Sequence, residues 1–214
     1  MNSFEISENT FQIIVMFTGM IAMGTMGFKY SSRRAIVLAC TYTSFMLGTL
    51  FYTLHMTIIG DIPRIFYVSD ISWMASYLFT LLLMSMRRWR TEKQIRFKAV
   101  PAVFSVVAFA SAVYNELLGP SKFMSCGIGL ITGAIVYFAV DAMITCKASG
   151  NKLRGFDITV TAVVFLQNLL YFVSEYTQDY THFNLYFAVD ILLTLHFALL
   201  AYFLGKEVKQ NGAY

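Results

Sequence analysis

The sequence predicts an all-α integral membrane protein, a bundle of seven transmembrane helices forming a single membrane domain over residues 1–214. Three observations carry that prediction. Hydrophobic residues make up 57% of the chain and charged residues 13%, against roughly 25% charged in an average soluble domain. Mean hydropathy is +0.62. Seven mainly apolar stretches close to the ~20 residues needed to cross a bilayer follow one another with short connections. None alternates with the period of a barrel strand. The same balance excludes a disordered chain, a collagen-like chain and a nucleic-acid-binding domain. The three cysteines, Cys40, Cys126 and Cys146, imply no disulfide framework.

The elements follow in order. Helix 1 spans about 11–28 and carries Gly19, Gly24 and Gly27; the acidic start before it, with Glu5 and Glu8, lacks the positive region of a cleaved signal peptide. Helix 2 covers 35–59 with His55 near its end, and helix 3 covers 65–86 with Asp70 near its start. A basic segment from Arg87 to Lys98, with Trp89 as an interfacial anchor, leads into helix 4 at 99–118. Helix 5 (123–146) is glycine-rich at Gly127, Gly129 and Gly133 and carries Asp141. Helix 6 (157–178) holds Gln167, Asn168 and Glu175, and helix 7 (183–204) holds Asp190 and His196. The remaining ten-residue tail leads one to expect no catalytic output domain on this chain.

Basic residues set the expected orientation. Of the sixteen lysines and arginines, all but Arg64 and Lys122 follow helices 1, 3, 5 and 7. By the positive-inside rule those ends face the cytoplasm, which puts the N-terminus outside and the C-terminus inside. The expected location is the plasma membrane, multi-pass, with the lipid bilayer as the first partner.

Sliding the chain on itself by 120 residues aligns helices 2–3 with helices 6–7 without a gap. Phe51-Tyr52 falls on Tyr171-Phe172, Phe66-Tyr67 on Tyr186-Phe187, and Asp70-Ile71 on Asp190-Ile191. Helices 1 and 5 complete two three-helix units, and helix 4 becomes the linker. This 3+1+3 arrangement resembles the superfamily of microbial rhodopsins and SWEET or PQ-loop carriers. A microbial rhodopsin would carry acids on helices 3 and 7, as Asp70 and Asp190 are, and a Schiff-base lysine one turn after the second. That position is Thr194, and no lysine lies within the seven stretches, which argues against covalent retinal; no Pro-Gln pair is present either.

An ionisable group near the bilayer centre costs at least ~2.5–3.5 kcal/mol, so each embedded one requires a reason. His55, Glu116 and Glu175 lie near helix ends and read as interfacial. Asp141 and Asp157 sit near Lys147, Lys152 and Arg154 and read as local ion pairs or, for Asp157, a helix cap. Asp70 and Asp190 lie deeper. Asp70 shares a helical stripe with Trp73, Met74 and Tyr77, and Asp190 shares one with Tyr186, Thr194 and Phe197. The candidate ligand-binding residues are therefore Asp70, Asp190, Trp73, Tyr77, Tyr186 and Thr194, with packing between helices as the alternative role. Two close carboxylates with aromatic neighbours suit a small polar or cationic ligand, or coupling to protons.

A second resemblance is to seven-helix zinc hydrolases of the progestin/adipoQ-receptor and ceramidase group, through His55, Asp70, His182 and His196. Phe51 replaces the serine that would precede the first histidine, and Tyr186 replaces the second member of a His-x-x-x-His pair begun by His182. His182 and His196 would lie about 21 Å apart along a helix and cannot share one ion. No metal site and no cofactor is expected, and no catalytic residue is assigned. The expected function is a small-ligand carrier with an outward-facing pocket between helices 3 and 7. The alternatives are a sensor signalling through a separate cytoplasmic or membrane protein partner and, third, the zinc hydrolase.

Overall fold

In hydrocarbon a spanning chain must satisfy its backbone internally, and the α-helix does so within one segment. The computed structural model describes residues 3–60, 68–91, 98–117, 122–148 and 155–211, with side chains described for 4–60, 68–88, 98–114, 127–145 and 155–210. Within them the chain forms α1 (Ser3–Lys29), α2 (Arg33–Ile58), α3 (Val68–Thr91), α4 (Ala99–Leu117), α5 (Lys122–Ala148), α6 (Gly155–Tyr176) and α7 (Leu185–Asn211). All except α4 are long and apolar enough to cross a membrane; α4 offers the shorter apolar run Ala99–Tyr114 among the described residues. Phe17, Val103, Val106, Leu130 and Tyr202 are exposed, whereas Gln12, Gln167, Asn168, Asp157 and Asp190 are buried. Apolar outside and polar inside is the distribution a lipid solvent favours. The chain is a helical, multi-pass membrane protein.

Two helices differ from the sequence reading in a way that matters for the site. α1 begins at Ser3 rather than near residue 11, because Glu8, Asn9 and Gln12 turn into the bundle. α7 continues to Asn211, so Lys206 and Lys209 lie on its last turns; Lys29, Lys122 and Lys147 likewise sit on helix ends. The lysine-free helices expected from sequence are thus lysine-bearing at their termini, while Thr194 occupies the mid-helix position.

Helix ends are fixed by local chemistry. α1 stops at a tight turn in which Ser31 adopts a left-handed φ of 47°, and Ser32 caps α2 by accepting from the Ala35 amide. Asn184 Oδ1 accepts from the Phe187 amide and caps α7 in the same manner. In packing order α1 lies against α2, α2 against α3, α3 against α5, α5 against α6, α6 against α7, and α7 against α1. That closes a six-helix ring. α4 packs outside it on α5 and α6, where Gly129 and Gly133 let the α5 backbone approach the α4 carbonyls of Phe109 and Ser105. Asn168 secures α4 from the other side by donating to Ser111 Oγ at 2.7 Å.

One end of the ring is held by buried ion pairs. Arg87 on α3 donates to Glu207 on α7 at 2.6 Å and to both Asp157 oxygens on α6 at 3.2 and 3.3 Å. Its side chain is 2% exposed and that of Asp157 is fully buried. The guanidinium also lies 4.4 Å over the Phe156 ring, where the π face attracts it. Beside it Arg88 pairs with Asp141 on α5, and Lys98, just before α4, reaches the other Asp141 oxygen at 2.8 Å. Asp141 and Asp157 are therefore ion-paired to residues distant in sequence, while the side chains of Lys147, Lys152 and Arg154 lie outside the described residues.

Removing one partner of a buried pair leaves the other charge uncompensated, at about 3–5 kcal/mol. Arg87→Met should lower unfolding free energy in detergent by that amount, and the double variant Arg87→Met with Asp157→Leu should recover most of it. A single variant as stable as the wild type would show that the pair does not hold α3 to α6.

Candidate functional site

At the opposite end of the ring from the ion pairs lies a cavity of about 170 Å³. Five helices build it: α1 gives Asn9 and Gln12, α2 Phe45 and Tyr52, α3 Trp73 and Tyr77, α6 Gln167, Leu170, Tyr171 and Ser174, and α7 Tyr186 and Asp190. Half of the lining residues are aromatic, four of them tyrosines, and the amides, Ser174 and the Asp190 carboxyl are the other polar groups.

A continuous hydrogen-bond chain fixes the wall. Trp73 Nε1 donates to Thr49 Oγ1 at 3.3 Å; Thr49 donates to Gln12 Oε1 at 2.8 Å; Gln12 Nε2 donates to Asp190 Oδ1 at 3.0 Å and to Thr194 Oγ1 at 3.3 Å. One glutamine thus joins α2, α1 and α7, and each end of its amide has the partner its chemistry requires. Tyr77 donates to Gln167 Oε1 at 2.7 Å and bridges α3 to α6. Deeper in the ring, Tyr42 donates to the Phe197 carbonyl at 2.6 Å and ties α2 to α7. The Trp73 indole reaches Thr49 because residue 48 is glycine: a Cβ there would stand 2.7 Å from Trp73 Cδ1 and 3.0 Å from the Ser69 carbonyl.

The carboxyl that meets Asp190 is Glu8. It is 6% exposed, lies within hydrogen-bonding reach of Asp190, and has one oxygen, Oε1, with no hydrogen-bond partner among the described residues. Glu8 also faces a shallow groove on the outside of the bundle, formed with Phe4, Ser7, Phe11 and Ile191. The carboxyl pair therefore stands in the seam between α1 and α7, with Asp190 on the cavity side.

Of the residues singled out from sequence, Asp190, Trp73, Tyr77 and Tyr186 line one cavity, and Thr194 lies behind it, bonded to Gln12. Asp70 is half-buried in the first turn of α3 and is not among the lining residues. The backbones of α3 and α7 do not pack on each other, so the cavity is shared among five helices instead of lying between those two. Sequence reasoning missed Glu8, Asn9, Gln12 and Thr49. The available signal was their spacing: Glu8, Asn9 and Gln12 repeat at intervals of 3 and 4, one polar helical face.

The remaining candidates lie apart from the cavity. His196 Nδ1 is bonded to the Leu192 carbonyl, and His182 is an exposed neighbour of Asp179. Among the described residues no three His, Cys, Asp or Glu side chains gather as a metal site would need. Glu175 is exposed, Cys40 is a half-buried free thiol, and the side chains of Trp89, Glu116, Cys126 and Cys146 lie outside the described residues.

The connection between α6 and α7 is folded beside the cavity. Tyr180 packs edge-on to Tyr186 at 5.2 Å and donates to the Ser174 carbonyl at 3.3 Å. Asp179 organises the turn, its Oδ1 accepting from the Thr181 hydroxyl at 2.6 Å and the Thr181 amide at 2.7 Å. These donors hold the exposed Asp179 carboxyl below the ordinary aspartate range.

Two outcomes follow. Hydrogen bonds between membrane helices average ~0.6 kcal/mol, with single cases near 1.7, so the three made by Gln12 sum to about 2 kcal/mol. Gln12→Leu should destabilise the detergent-solubilised protein by that amount, whereas Thr10→Val, on the exposed face of α1, should change it little. An undisturbed Gln12→Leu variant would rule out the chain as a structural tie. The Asp179 turn is intact above the ordinary aspartate pKa and is lost as pH falls through the lowered value. The NMR shift of the Thr181 amide should therefore titrate with a midpoint below about 3.9, and a midpoint at or above that would contradict the assignment. No family model, curated protein or solved structure matches this chain.

Proposed function

We propose that the protein is a plasma-membrane carrier that binds a small polar or cationic ligand in the aromatic-walled cavity. The observation that carries this reading is a buried carboxylate, Asp190, set in a cavity with Trp73, Tyr77 and Tyr186 at one end of a bundle whose other end is closed by ion pairs. The positive-inside count puts the ion-pair end in the cytoplasm and the cavity toward the outside, with the N-terminus outside. A carrier requires that asymmetry: one open side, and a closed side whose closure can be undone.

The 3+1+3 repeat supports the same reading. Exchanging the two three-helix units turns the α3–α5 contact into the α7–α1 contact, and both are present, with α4 outside the ring as a linker. Arg87 and Glu207, joined by the inner ion pair, stand 120 residues apart, the offset that also relates Asp70 to Asp190. Equivalent positions meet near a two-fold axis. Rocking of one unit against the other about that axis would open the Arg87 end as the cavity end closes. Within the site Asp190 would take the ligand's positive or hydroxyl group, Trp73, Tyr77 and Tyr186 would hold its apolar part, and Thr194 would steady Gln12. Asp70 would enter only through α3, one turn from Trp73.

Thermal unfolding of the detergent-purified protein against a library of small metabolites tests the site. A ligand that raises the midpoint of the wild type and not that of Asp190→Asn is the expected result, and its uptake into liposomes containing only this protein then tests the carrier. Binding without uptake would turn the reading toward a sensor. A library in which no compound stabilises the wild type would remove the ligand site.

A further inference from the structure

Two carboxyls that hydrogen-bond to each other need a proton on one of them, because an ionised carboxylate only accepts. Asp190 already accepts from Gln12 Nε2 on one oxygen, so Glu8 is the partner placed to supply the O–H. The surroundings restrict what can neutralise Asp190. No lysine or arginine lines the cavity among the described residues. Among the described residues, the titratable groups around the pair and its cavity are Glu5 on α1, Tyr52 on α2, Tyr77 on α3, Tyr171 on α6, Tyr186 on α7 and Tyr180 in the α6–α7 connection. These are acids or phenols, and none of them brings a positive charge. Among the described residues, then, nothing balances an ionised Asp190 in this seam except a cation arriving from outside, and a proton would neutralise it.

The cavity fits one kind of cation. Phe45, Tyr52, Trp73, Tyr77, Tyr171 and Tyr186 present aromatic surface around Asp190, and π faces attract ammonium groups. A volume of about 170 Å³ suits an ammonium compound of a few carbons.

We infer that Asp190 exchanges its proton for a small organic ammonium ion, with Glu8 as a hydrogen-bond donor to it. This rests on the ligand-binding reading above and names its substrate class. The step is balanced: protonated Asp190 and a free ammonium ion give an ionised Asp190 paired with the ammonium ion, plus one proton released to water. The net charge of the site is zero before and after, so exchange places no uncompensated charge in the low-dielectric bundle. Glu8 keeps its proton throughout and is a positioning residue; Asp190 is the group that touches the ligand.

The probe is choline, with its uncharged isostere 3,3-dimethylbutan-1-ol as control. Binding to the full chain in detergent is read from Trp73 fluorescence in a Trp89→Phe background, since the chain has two tryptophans. Proton release is read with a pH dye in weak buffer. Choline should perturb Trp73 and release close to one proton per bound cation on the acid side of the Asp190 titration. Its affinity should rise there by about tenfold per pH unit and level off above it. Glu8→Gln retains a neutral donor, so it should keep both the binding and the released proton. Asp190→Asn should lose both, and the wild-type proton count stands as a test even where that variant does not fold. Loss of proton release in Glu8→Gln with binding retained would overturn the assignment of the exchanging group. Equal, pH-independent binding of the alcohol and choline would overturn the exchange while leaving the cavity as a ligand site. Silence from both compounds would overturn the exchange as well, and the library screen would then decide the cavity on its own.

Discussion

Arg87 is the constraint on which the arrangement of the bundle depends. A guanidinium this far from water has to be met by anions, and its two partners come from α6 and α7. Because the backbones of α3 and α7 do not pack together, that one side chain spans the interior and draws the ring shut at its own end. Arg88, Asp141 and Lys98 extend the closure to α5 and the start of α4. At the aromatic end no such group stands among the described residues, and the cavity lies there.

At that end a weaker kind of polar contact sets the geometry. The chain from Trp73 through Thr49 and Gln12 to Asp190 is made of hydrogen bonds that individually contribute little. Their effect is positional. They fix the indole by Gly48 and orient the Gln12 amide so that its nitrogen meets the Asp190 carboxyl. Tyr77 and Gln167 do the same across α3 and α6. The cavity is thus a space half lined by aromatic rings with one acidic group, Asp190, on its wall.

Much of the fold was legible in the sequence because lipid imposes a simple rule: long apolar runs become helices. The runs, their order and the burial of Asp190 follow from hydropathy alone. The start of α1 did not, because Glu8 and Asn9 lower the local hydropathy and read as a solvated lead-in, although with Gln12 they form one inward face. The partners of Asp141 and Asp157 were also hidden. Each has basic residues close in sequence, yet among the described residues its partners are Arg88 and Lys98, or Arg87, which by position belong to a topogenic basic cluster. A charge at a helix end looks the same in sequence whether it faces headgroups or turns inward. Asp70 illustrates the converse: it aligns with Asp190 at the repeat offset, yet alignment fixes register along a helix and not which side chain reaches the cavity wall.

The Arg87 pairing also sets a timetable for biosynthesis. Its anionic partners lie 70 and 120 residues downstream, so α3 enters the membrane before either exists. At about 5–20 residues per second, the last partner emerges some 6–24 seconds after the arginine. Through that interval those two contacts do not exist, and a long basic side chain at a helix end then reaches toward the lipid headgroups. The ring closes only once α7 has left the translocation machinery. The first helices made are therefore an open intermediate, and the final helix acts as the fastener that draws the arginine inward.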